Sequence, residues 1–376
     1  MAYKSGVSGL MCGILGVYAA GGAALDPEPT RRSLEAAGAA IAHRGPDAAG
    51  AVAAARFGFG HRRLSILDLN ARANQPMSSP DGNVTVTYNG EIYNFRQLRA
   101  ELEAAGCAFS TTSDTEVLIR GYQHWGLAGI LTRAAGMFAF ALYDAAQDRL
   151  YLARDRAGKK PLYWARAGGR VYFCSELAGL FQLWPGRRQI SPEGLDCYLA
   201  LKFAPAPLTL VQGVSKVMPG SYLEFGPDGK ERSVPYWDPF AARRSGLSAR
   251  QAEAEVEQAL DLAVRRRLVS DVPVCVFLSG GIDSSYIVDR VCASGAAGAA
   301  AYTVGYSDMP GYNEFEYARL VARKYPVDYR EVFVGSGQVL DVLQDEAMVF
   351  DDPISDWVWV PLHFLSARAR AYGFKV

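Results

Sequence analysis

The segment Val272-Pro-Val-Cys-Val-Phe-Leu278 leads directly into Ser279-Gly-Gly-Ile-Asp-Ser-Ser285. The first part is a short apolar run and predicts a buried strand, while the two glycines predict a tight loop before a helix. A strand, a glycine-rich loop and a helix in this order are typical of an α/β phosphate site, because the first N–H groups of the helix face the anion. An ordinary strand-to-helix turn is the alternative interpretation.

The residue types of this loop fit a polyphosphate ligand. Ser279, Ser284 and Ser285 supply hydroxyl donors, and Asp283 could bind Mg²⁺ that accompanies the phosphates. The loop lacks the Gly-Lys-Ser/Thr ending of a Walker A motif and the spacing of a dinucleotide fingerprint. The sequence therefore predicts a phosphate loop of another kind.

Upstream of the loop, the sequence predicts a helix and a domain boundary. Ser248–Leu268 has apolar residues every four positions and predicts a helix. Proline and glycine are frequent in the region Phe203–Phe240, which we interpret as the boundary between two domains. Before it, short alternating runs predict strands, and three segments predict helices. These are Pro29–Ala42, Phe95–Ala105 and Thr115–Trp125, the last with an N-cap at Ser113 or Asp114.

Length and composition exclude several classes of protein. The 376 residues suggest two or three domains. Lys and Arg number 39, as do Asp and Glu, so a protein that binds nucleic acid or anionic membranes through bulk charge is not expected. No apolar run reaches the roughly 18–20 residues of a membrane span. The six cysteines form no metal-ligand spacing, which favours a reducing compartment and a cytoplasmic location.

Cys12 lies in the string Met11-Cys-Gly-Ile-Leu-Gly16. If Met11 were removed, the thiol of Cys12 could act as a nucleophile with its own α-amine, of pKa about 7.7–8.0, as the base. A small buried hydrophobic residue is the alternative. The stretch Lys4 to Ala20 also loosely resembles a secretory signal, although Met11 argues against lipidation of Cys12.

Four further sequence strings are informative together with the string around Cys12. They are Arg44-Gly-Pro-Asp47, Gly60-His-Arg-Arg-Leu-Ser-Ile66, Tyr88-Asn-Gly-Glu-Ile-Tyr-Asn94 and Ser113-Asp-Thr-Glu116. With the Cys12 string they resemble the glutaminase domain of class II glutamine amidotransferases, and their order is most similar to that of the glutamine-hydrolysing asparagine synthetases. The Ser279–Ser285 string resembles the pyrophosphate loop of N-type ATP pyrophosphatases.

The resemblance implies roles for individual residues. Cys12 would attack the glutamine amide, and Asn89 and Gly90 would form the oxyanion hole. The glutamine-binding residues would be Arg63, Leu64, Ser65, Ile66, Leu67, Asn89, Gly90, Glu91 and Asp114, with Arg63 on the α-carboxylate and Asp114 on the α-ammonium. The ATP-binding residues would be Leu278, Ser279, Gly280, Gly281, Asp283, Ser284, Ser285 and Val304. Arg44 and Asp47 could instead form an ion pair that stabilises a loop, and the four histidines are interpreted as structural.

The resemblance also implies the fold and the reaction. The expected fold is a four-layer αββα sandwich of the N-terminal nucleophile hydrolase type, followed by an incomplete doubly wound ATP-pyrophosphatase domain. The expected bounds are 12–229 for the first domain, 230–247 for a linker and 248–376 for the second domain. The family reaction converts ATP, aspartate and glutamine to asparagine, AMP, pyrophosphate and glutamate, with Mg²⁺ and no prosthetic group.

Some features depart from the family pattern and leave alternatives open. Ten residues precede Met11, so we expect residues 1–11 to be a leader that is absent or removed from the active protein. The chain ends before a second substrate loop, which predicts glutamine hydrolysis without asparagine synthesis by this chain alone. A glutaminase that supplies ammonia to a partner chain, or a non-catalytic binding module, is the alternative. The expected partner is a second copy of this chain in a homodimer, or a separate chain that supplies the C-terminal part.

Overall fold

The computed structural model describes residues 11–22, 24–241, 246–295, 298–344 and 352–376. Residues 1–10 of the predicted leader and 242–245 of the predicted linker lie outside the described residues. The described residues divide into two compact units, one formed by 11–241 with 352–355 and the other by 246–344 with 356–376. None of the described helices combines the length and apolarity needed to cross a membrane.

The first unit contains twelve described strands and five described α-helices. The strands are β1 (Gly13–Tyr18), β2 (Ala48–Ala53), β3 (Phe57–Arg63), β4 (Met77–Ser78), β5 (Val84–Ile92), β6 (Gly136–Asp144), β7 (Arg149–Arg154), β8 (Tyr163–Ala167), β9 (Arg170–Cys174), β10 (Val214–Lys216), β11 (Ser221–Phe225) and β12 (Glu231–Pro235). The helices are α1 (Pro27–Ala40), α2 (Phe95–Ala104), α3 (Asp114–Arg133), α4 (Leu177–Leu183) and α5 (Pro192–Leu201).

These strands form two six-stranded antiparallel sheets. Sheet A has the order β10-β8-β9-β1-β3-β2, and sheet B has the order β12-β11-β7-β6-β5-β4. Their inner faces share one core, in which Phe59 and Phe173 of sheet A meet Leu152 and Phe225 of sheet B, all fully buried. Large apolar side chains pointing inward from both sheets drive this face-to-face packing.

Helices cover the outer faces of both sheets. Leu34 of α1 and Leu180 of α4 pack on Leu15 of sheet A. On the other side, α3 packs against β5 of sheet B, and α2 packs against α3. The predicted αββα sandwich is therefore confirmed.

Two segments of this unit differ from the sequence prediction. The helix predicted over Thr115–Trp125 continues to Arg133, with a break at Gly126, whose φ of +72° interrupts the helical geometry. The Pro- and Gly-rich region Phe203–Phe240 contributes β10, β11 and β12 to the two sheets, because turn residues separate short strands as well as domains. Strand β12 lies within the predicted linker, and the domain bounds stay a prediction.

The described residues of the second unit include a parallel sheet of three strands. They are β13 (Cys275–Phe277), β14 (Ala300–Tyr306) and β15 (Asp328–Val334), in that spatial order. Its helices are α6 (Ala249–Arg267), α7 (Ile282–Ala293), α8 (Phe315–Lys324), α9 (Ser336–Gln344) and α10 (Trp359–Ala371). Strand β13 is shorter than the predicted Val272–Leu278, since Pro273 has no N–H to donate to a ladder.

Helices pack on both faces of this sheet, as the doubly wound prediction requires. Val288 of α7 and Ala318 of α8 pack with Ala301 on one face. Leu365 and Ala369 of α10 pack against the other face. Helix α6 is the exception, because it buries none of its residues, and Ser248 begins it with a capping box.

Candidate active site

Cys12 lies immediately before β1, at the end of the central strand of sheet A. The backbone N–H of Leu64 donates to the Cys12 sulfur at 3.4 Å, and the thiol lies 3.6 Å from the Leu64 carbonyl oxygen. The Cys12 carbonyl accepts a hydrogen bond of 3.0 Å from Nε of Arg44. The adjacent strands β1 and β3 therefore hold Cys12 beside the start of the loop that follows β3.

The charges around Cys12 oppose the effect of its burial. Burial raises the pKa of the Cys12 thiol, because the thiolate loses its hydration. The Leu64 amide lowers this pKa, as do the positive charges of Lys160, Arg44 and Arg63. The thiol is thus a desolvated group surrounded by cations, an environment suited to a thiolate that forms during a reaction.

The inner face of β5 directs Asn89 and Glu91 toward sheet A. The Thr87 hydroxyl, on the same face two residues earlier, donates to the Gly60 carbonyl of β3 at 3.0 Å. Because side chains alternate along a strand, Asn89 and Glu91 share this face with Thr87. Asn89 is 1% exposed, and its side-chain nitrogen is buried with no hydrogen-bond partner among the described residues. A buried unpaired donor is costly, so an acceptor supplied by a substrate would satisfy it.

The backbone N–H of Gly90 points to the edge of β5 that β4 leaves open. Tyr88 N–H donates to the Gln75 side chain at 2.7 Å, and Ile92 N–H donates to Asp114 at 3.0 Å. In an antiparallel strand every second residue directs its N–H to the same edge, so Gly90 shares the direction of its neighbours at 88 and 92. Strand β4 pairs only with Val86 and Thr85 of β5 and does not extend as far as Gly90.

Asp114 is fixed at the start of α3. Ser113 begins this helix as predicted, since its hydroxyl accepts from the N–H of Thr115 at 3.2 Å. One carboxylate oxygen of Asp114 accepts from the Tyr88 hydroxyl at 2.7 Å and from Ile92 N–H. Burial raises the pKa of Asp114, so a cationic ligand such as an α-ammonium group would stabilise its ionised form.

Arg63 organises the loop that is predicted to bind glutamine. Its Nη1 donates to the side chain of Asn74 at 2.7 Å and to the carbonyl of Asn70, while Nη2 donates to the carbonyls of Leu67 and Asp68. Leu64 and Leu67 are buried, and the N–H of Ser65 donates to Asp47 at 2.8 Å. Arg63 therefore maintains the loop containing Ser65, Ile66 and Leu67, a function that the sequence prediction did not include.

The structure also identifies groups near Cys12 for which no role was predicted from the sequence. Glu176 pairs with Arg44 at 2.7 Å and with His43 at 2.9 Å, so the ion pair expected from Arg44 is formed with Glu176. Lys160 is buried, and Nζ donates to the sulfur of Met11 at 2.7 Å. The charge complementarity that joins these residues across sheet A is visible only in three dimensions.

The predicted phosphate loop has a compact internal geometry. The hydroxyls of Ser279 and Ser284 lie 3.0 Å apart, and Gly281 N–H donates to Ser279 at 3.2 Å. Gly280 has a φ of +83°, and a Cβ there would lie 2.5 Å from the Ala318 nitrogen. Glycine is therefore required both by conformation and by the close approach of α8.

The ligand groups of this loop lie at the beginning of α7. The helix starts at Ile282 and has no side-chain cap, so its first N–H groups are available to an anion. Asp283 is exposed in the first turn, and its carboxylate is a hard oxygen donor that suits Mg²⁺ held jointly with phosphates. No group of three acidic, His or Cys side chains that could bind a metal occurs among the described residues.

Two further residues predicted to bind ATP belong to neighbouring segments, since Leu278 directly follows β13 and Val304 lies in the adjacent parallel strand β14. Leu278 N–H donates to the Tyr302 carbonyl at 2.8 Å, and its carbonyl accepts from the Thr303 hydroxyl. Val304 lies two residues beyond the last β13–β14 pair, at the carboxyl end of the sheet. Ligands of open parallel sheets bind at this end, which agrees with the placement of the loop.

Comparison with known proteins identifies two sequence families along the chain. The sequence model described as the glutamine amidotransferase domain matches residues 11–237, and the model described as asparagine synthase matches residues 255–376. The first match includes Cys12 and all residues discussed around it. The second includes the loop Ser279–Ser285.

Several curated proteins are similar over nearly the whole chain. Asparagine synthetase [glutamine-hydrolyzing] 1 of Bacillus subtilis is 36% identical over 96% of this chain and 56% of its own length. A putative asparagine synthetase [glutamine-hydrolyzing] of Mycobacterium tuberculosis is 34% identical over 96% of this chain and 58% of its own length. This chain therefore spans little more than half the length of these relatives. A solved structure of glutamine phosphoribosylpyrophosphate amidotransferase from B. subtilis is 15% identical, over 86% of this chain and 81% of its own, with a TM-score of 0.45.

Proposed function

Residues 11–237 of this chain belong to the glutamine amidotransferase domain family, and we propose that they hydrolyse glutamine to glutamate and ammonia at Cys12. One observation carries the proposal. The thiol of Cys12 lies against the Leu64 amide, while Asn89 directs a buried, unpaired amide nitrogen into the same inter-sheet layer. A nucleophile and an unsatisfied donor are the two groups that an acyl-transfer site needs.

The proposed reaction begins with attack of the Cys12 sulfur on the side-chain amide carbon of glutamine. The thiol proton passes to the α-amine of Cys12, which must be free, so cleavage of the Met11–Cys12 peptide bond is part of the proposal. Asn89 and the Gly90 N–H stabilise the oxyanion. The C–N bond then breaks, the proton on the α-amine leaves with ammonia, and water hydrolyses the thioester to glutamate.

Substrate orientation follows from the charged groups at the margins of the site. Asp114 binds the α-ammonium group of glutamine, and Glu91 lies on the same face of β5 as Asn89. Arg63 lies beside the α-carboxylate and holds the loop from Leu64 to Leu67 in place through its carbonyl contacts. A planar guanidinium suits both tasks, because its five donors can be shared between loop oxygens and a carboxylate.

We further propose that the whole enzyme uses this ammonia to convert aspartate to asparagine with ATP. The match of residues 255–376 to asparagine synthase supports this, as does a phosphate loop at the carboxyl end of β13. Asp283 would hold Mg²⁺ together with phosphate oxygens, and the ion would neutralise their negative charge. A cytoplasmic enzyme without a prosthetic group, active as a homodimer or with a complementing chain, completes the proposal.

Glutamate release by the purified chain tests the glutaminase proposal. Cys12→Ala should abolish release, because the substituted side chain has no nucleophile to form the thioester. Cys107→Ala is the matched control, since Cys107 is a partly buried free cysteine in the loop after α2 and should be dispensable. Glutamate release by Cys12→Ala at the rate of the unmodified protein would refute the proposal.

A further inference from the structure

Lys160 is a buried cation whose ammonium group contacts no carboxylate among the described residues. The residue is 4% exposed and lies in the loop between β7 and β8. Its Nζ donates to the sulfur of Met11, and no ion pair of Lys160 is found in the part of the chain that the structure describes. Lysine is almost never fully buried unless it is paired, and a thioether is a weak acceptor. The position of this charge therefore needs an explanation.

The other charges around Cys12 are already balanced or engaged. Arg44 is paired with Glu176, and Arg63 donates to oxygens of its own loop. Asp155, near Lys160, accepts backbone N–H groups of its own turn, including that of Lys160 at 3.0 Å. Glu91 of β5 and the Tyr88 hydroxyl also lie within electrostatic range of Cys12 or Lys160. Lys160 is thus the cation near Cys12 whose side chain has neither an ion pair nor an oxygen acceptor among the described residues.

We propose that Lys160 is a positioning residue whose buried ammonium group favours the deprotonated forms of the sulfur and of the freed α-amine of Cys12. The inference rests on the proposed glutaminase function and deepens it. A nearby positive charge stabilises a thiolate and destabilises an ammonium ion. Both effects act in the direction that the reaction needs, because the amine must be neutral to accept the thiol proton.

The contact with Met11 supports this role. Met11 is the residue bonded to the nitrogen of Cys12, and its side chain occupies the donor direction of Lys160. Removal of Met11 would take away this sulfur acceptor and create a free amine on the adjoining residue. Burial and the nearby positive charge of Arg44 together lower the pKa of Lys160 to about 8, so the lysine is charged at neutral pH and loses its influence above about pH 8.

Loss of the Lys160 charge should shift glutamine hydrolysis to higher pH. With Lys160 charged, Cys12 loses its protons at lower pH, and hydrolysis begins at lower pH. Lys160→Met removes the charge but keeps an unbranched side chain that suits a buried site. It should move the acidic limb of kcat/KM upward by about one pH unit. The decrease in kcat/KM should be about tenfold at pH 6 and less than twofold at pH 9.

The experiment compares three variants of the processed full chain from pH 5.5 to 9.5. Lys160→Arg keeps a positive charge and should retain the acidic limb of the unmodified protein. Lys159→Met removes the neighbouring exposed lysine and is the matched control for loss of one charge. In parallel, the rate of alkylation of Cys12 by iodoacetamide, followed on the Cys12 peptide by mass spectrometry, should shift in the same direction in Lys160→Met only.

The outcomes separate this inference from the proposed function. The role of Lys160 would be overturned if kcat/KM of Lys160→Met fell by the same factor at every pH. It would also be overturned if the pH dependence of Cys12 alkylation in this variant were identical to that of the unmodified protein. A shift of equal size in Lys159→Met would also overturn it, because a general charge effect would then suffice. Absence of glutamate release by the unmodified protein would refute the proposed function, while the alkylation profiles would still decide the role of Lys160.

Discussion

Replacement of Asn89 by Ala separates transition-state stabilisation from binding. The Asn89 side-chain nitrogen is buried and has no partner among the described residues, so its hydrogen bond would form only when an oxyanion develops. Loss of one such donor costs about 10²–10³ in kcat, equivalent to about 2.7–4 kcal/mol. We expect a loss of this size in kcat for Asn89→Ala with KM changed less than threefold, because the ground-state amide gains little from this donor.

The same variant should fold with nearly unchanged stability. An unpaired buried donor costs about 1–3 kcal/mol, and its removal offsets the small cavity that alanine leaves. Asn94→Ala, in the same string, is the contrasting control. The Asn94 amide donates to the Arg133 carbonyl at 3.0 Å and accepts from Ala135 N–H at 2.8 Å. It should lose about 1–2 kcal/mol of unfolding free energy and keep its kcat.

The assay is steady-state glutamate release over a range of glutamine concentrations, combined with urea unfolding of each variant. We expect the two variants to have opposite effects, with kcat reduced only in Asn89→Ala and stability reduced only in Asn94→Ala. A rise in KM with unchanged kcat for Asn89→Ala would show that the amide binds ground-state substrate, and the oxyanion assignment would be wrong.

Three further predictions address the sheets and the phosphate loop. Gly90→Ala should cost at least about 1–3 kcal/mol in urea unfolding, because its Cβ would lie 2.4 Å from the Met137 carbonyl oxygen, and unchanged stability would contradict the β5–β6 approach. His61 is buried, with a pKa lowered from 6.5 to about 3, so the unfolded state binds its proton first as the pH falls. The unmodified protein should therefore lose about 2 kcal/mol more than His61→Gln between pH 7 and pH 5, and equal losses would be inconsistent with a neutral buried imidazole. Gly280→Ala should weaken ATP binding more than tenfold in a fluorescence titration without affecting glutamate release, and an unchanged affinity would contradict the proposed phosphate loop.

The sequence was informative where short-range patterns determine structure. The run Val84–Tyr88 alternates and the run Met137–Tyr143 is apolar throughout, and both lie in strands of sheet B. Ser113 has the residue type and position of an N-cap, and it caps α3. The sequence predicts an end of this helix at Trp125, because a glycine directly after a helical segment is typical of a helix end. The continuation of α3 past Gly126 was therefore missed.

The candidate site was only partly visible from the sequence, for a physical reason. The motifs identify Cys12, Asn89 and Asp114, because each lies in a string with a recognisable order. The pairing of Arg44 with Glu176 joins residues 132 positions apart, and no local pattern predicts which carboxylate neutralises which cation. The importance of Lys160 depends on burial without an anion, a property that exists only after the sheets have packed.

Covalent labelling by a diazo-ketone analogue of glutamine tests the central claim most directly. The analogue is bound as glutamine and alkylates the attacking nucleophile, so peptide mapping by mass spectrometry identifies that residue. We predict one adduct per chain, on Cys12, in active protein in which Cys12 is the first residue, with labelling prevented by excess glutamine. An adduct on another cysteine, or full glutaminase activity in protein that still carries Met11 on Cys12, would contradict the account.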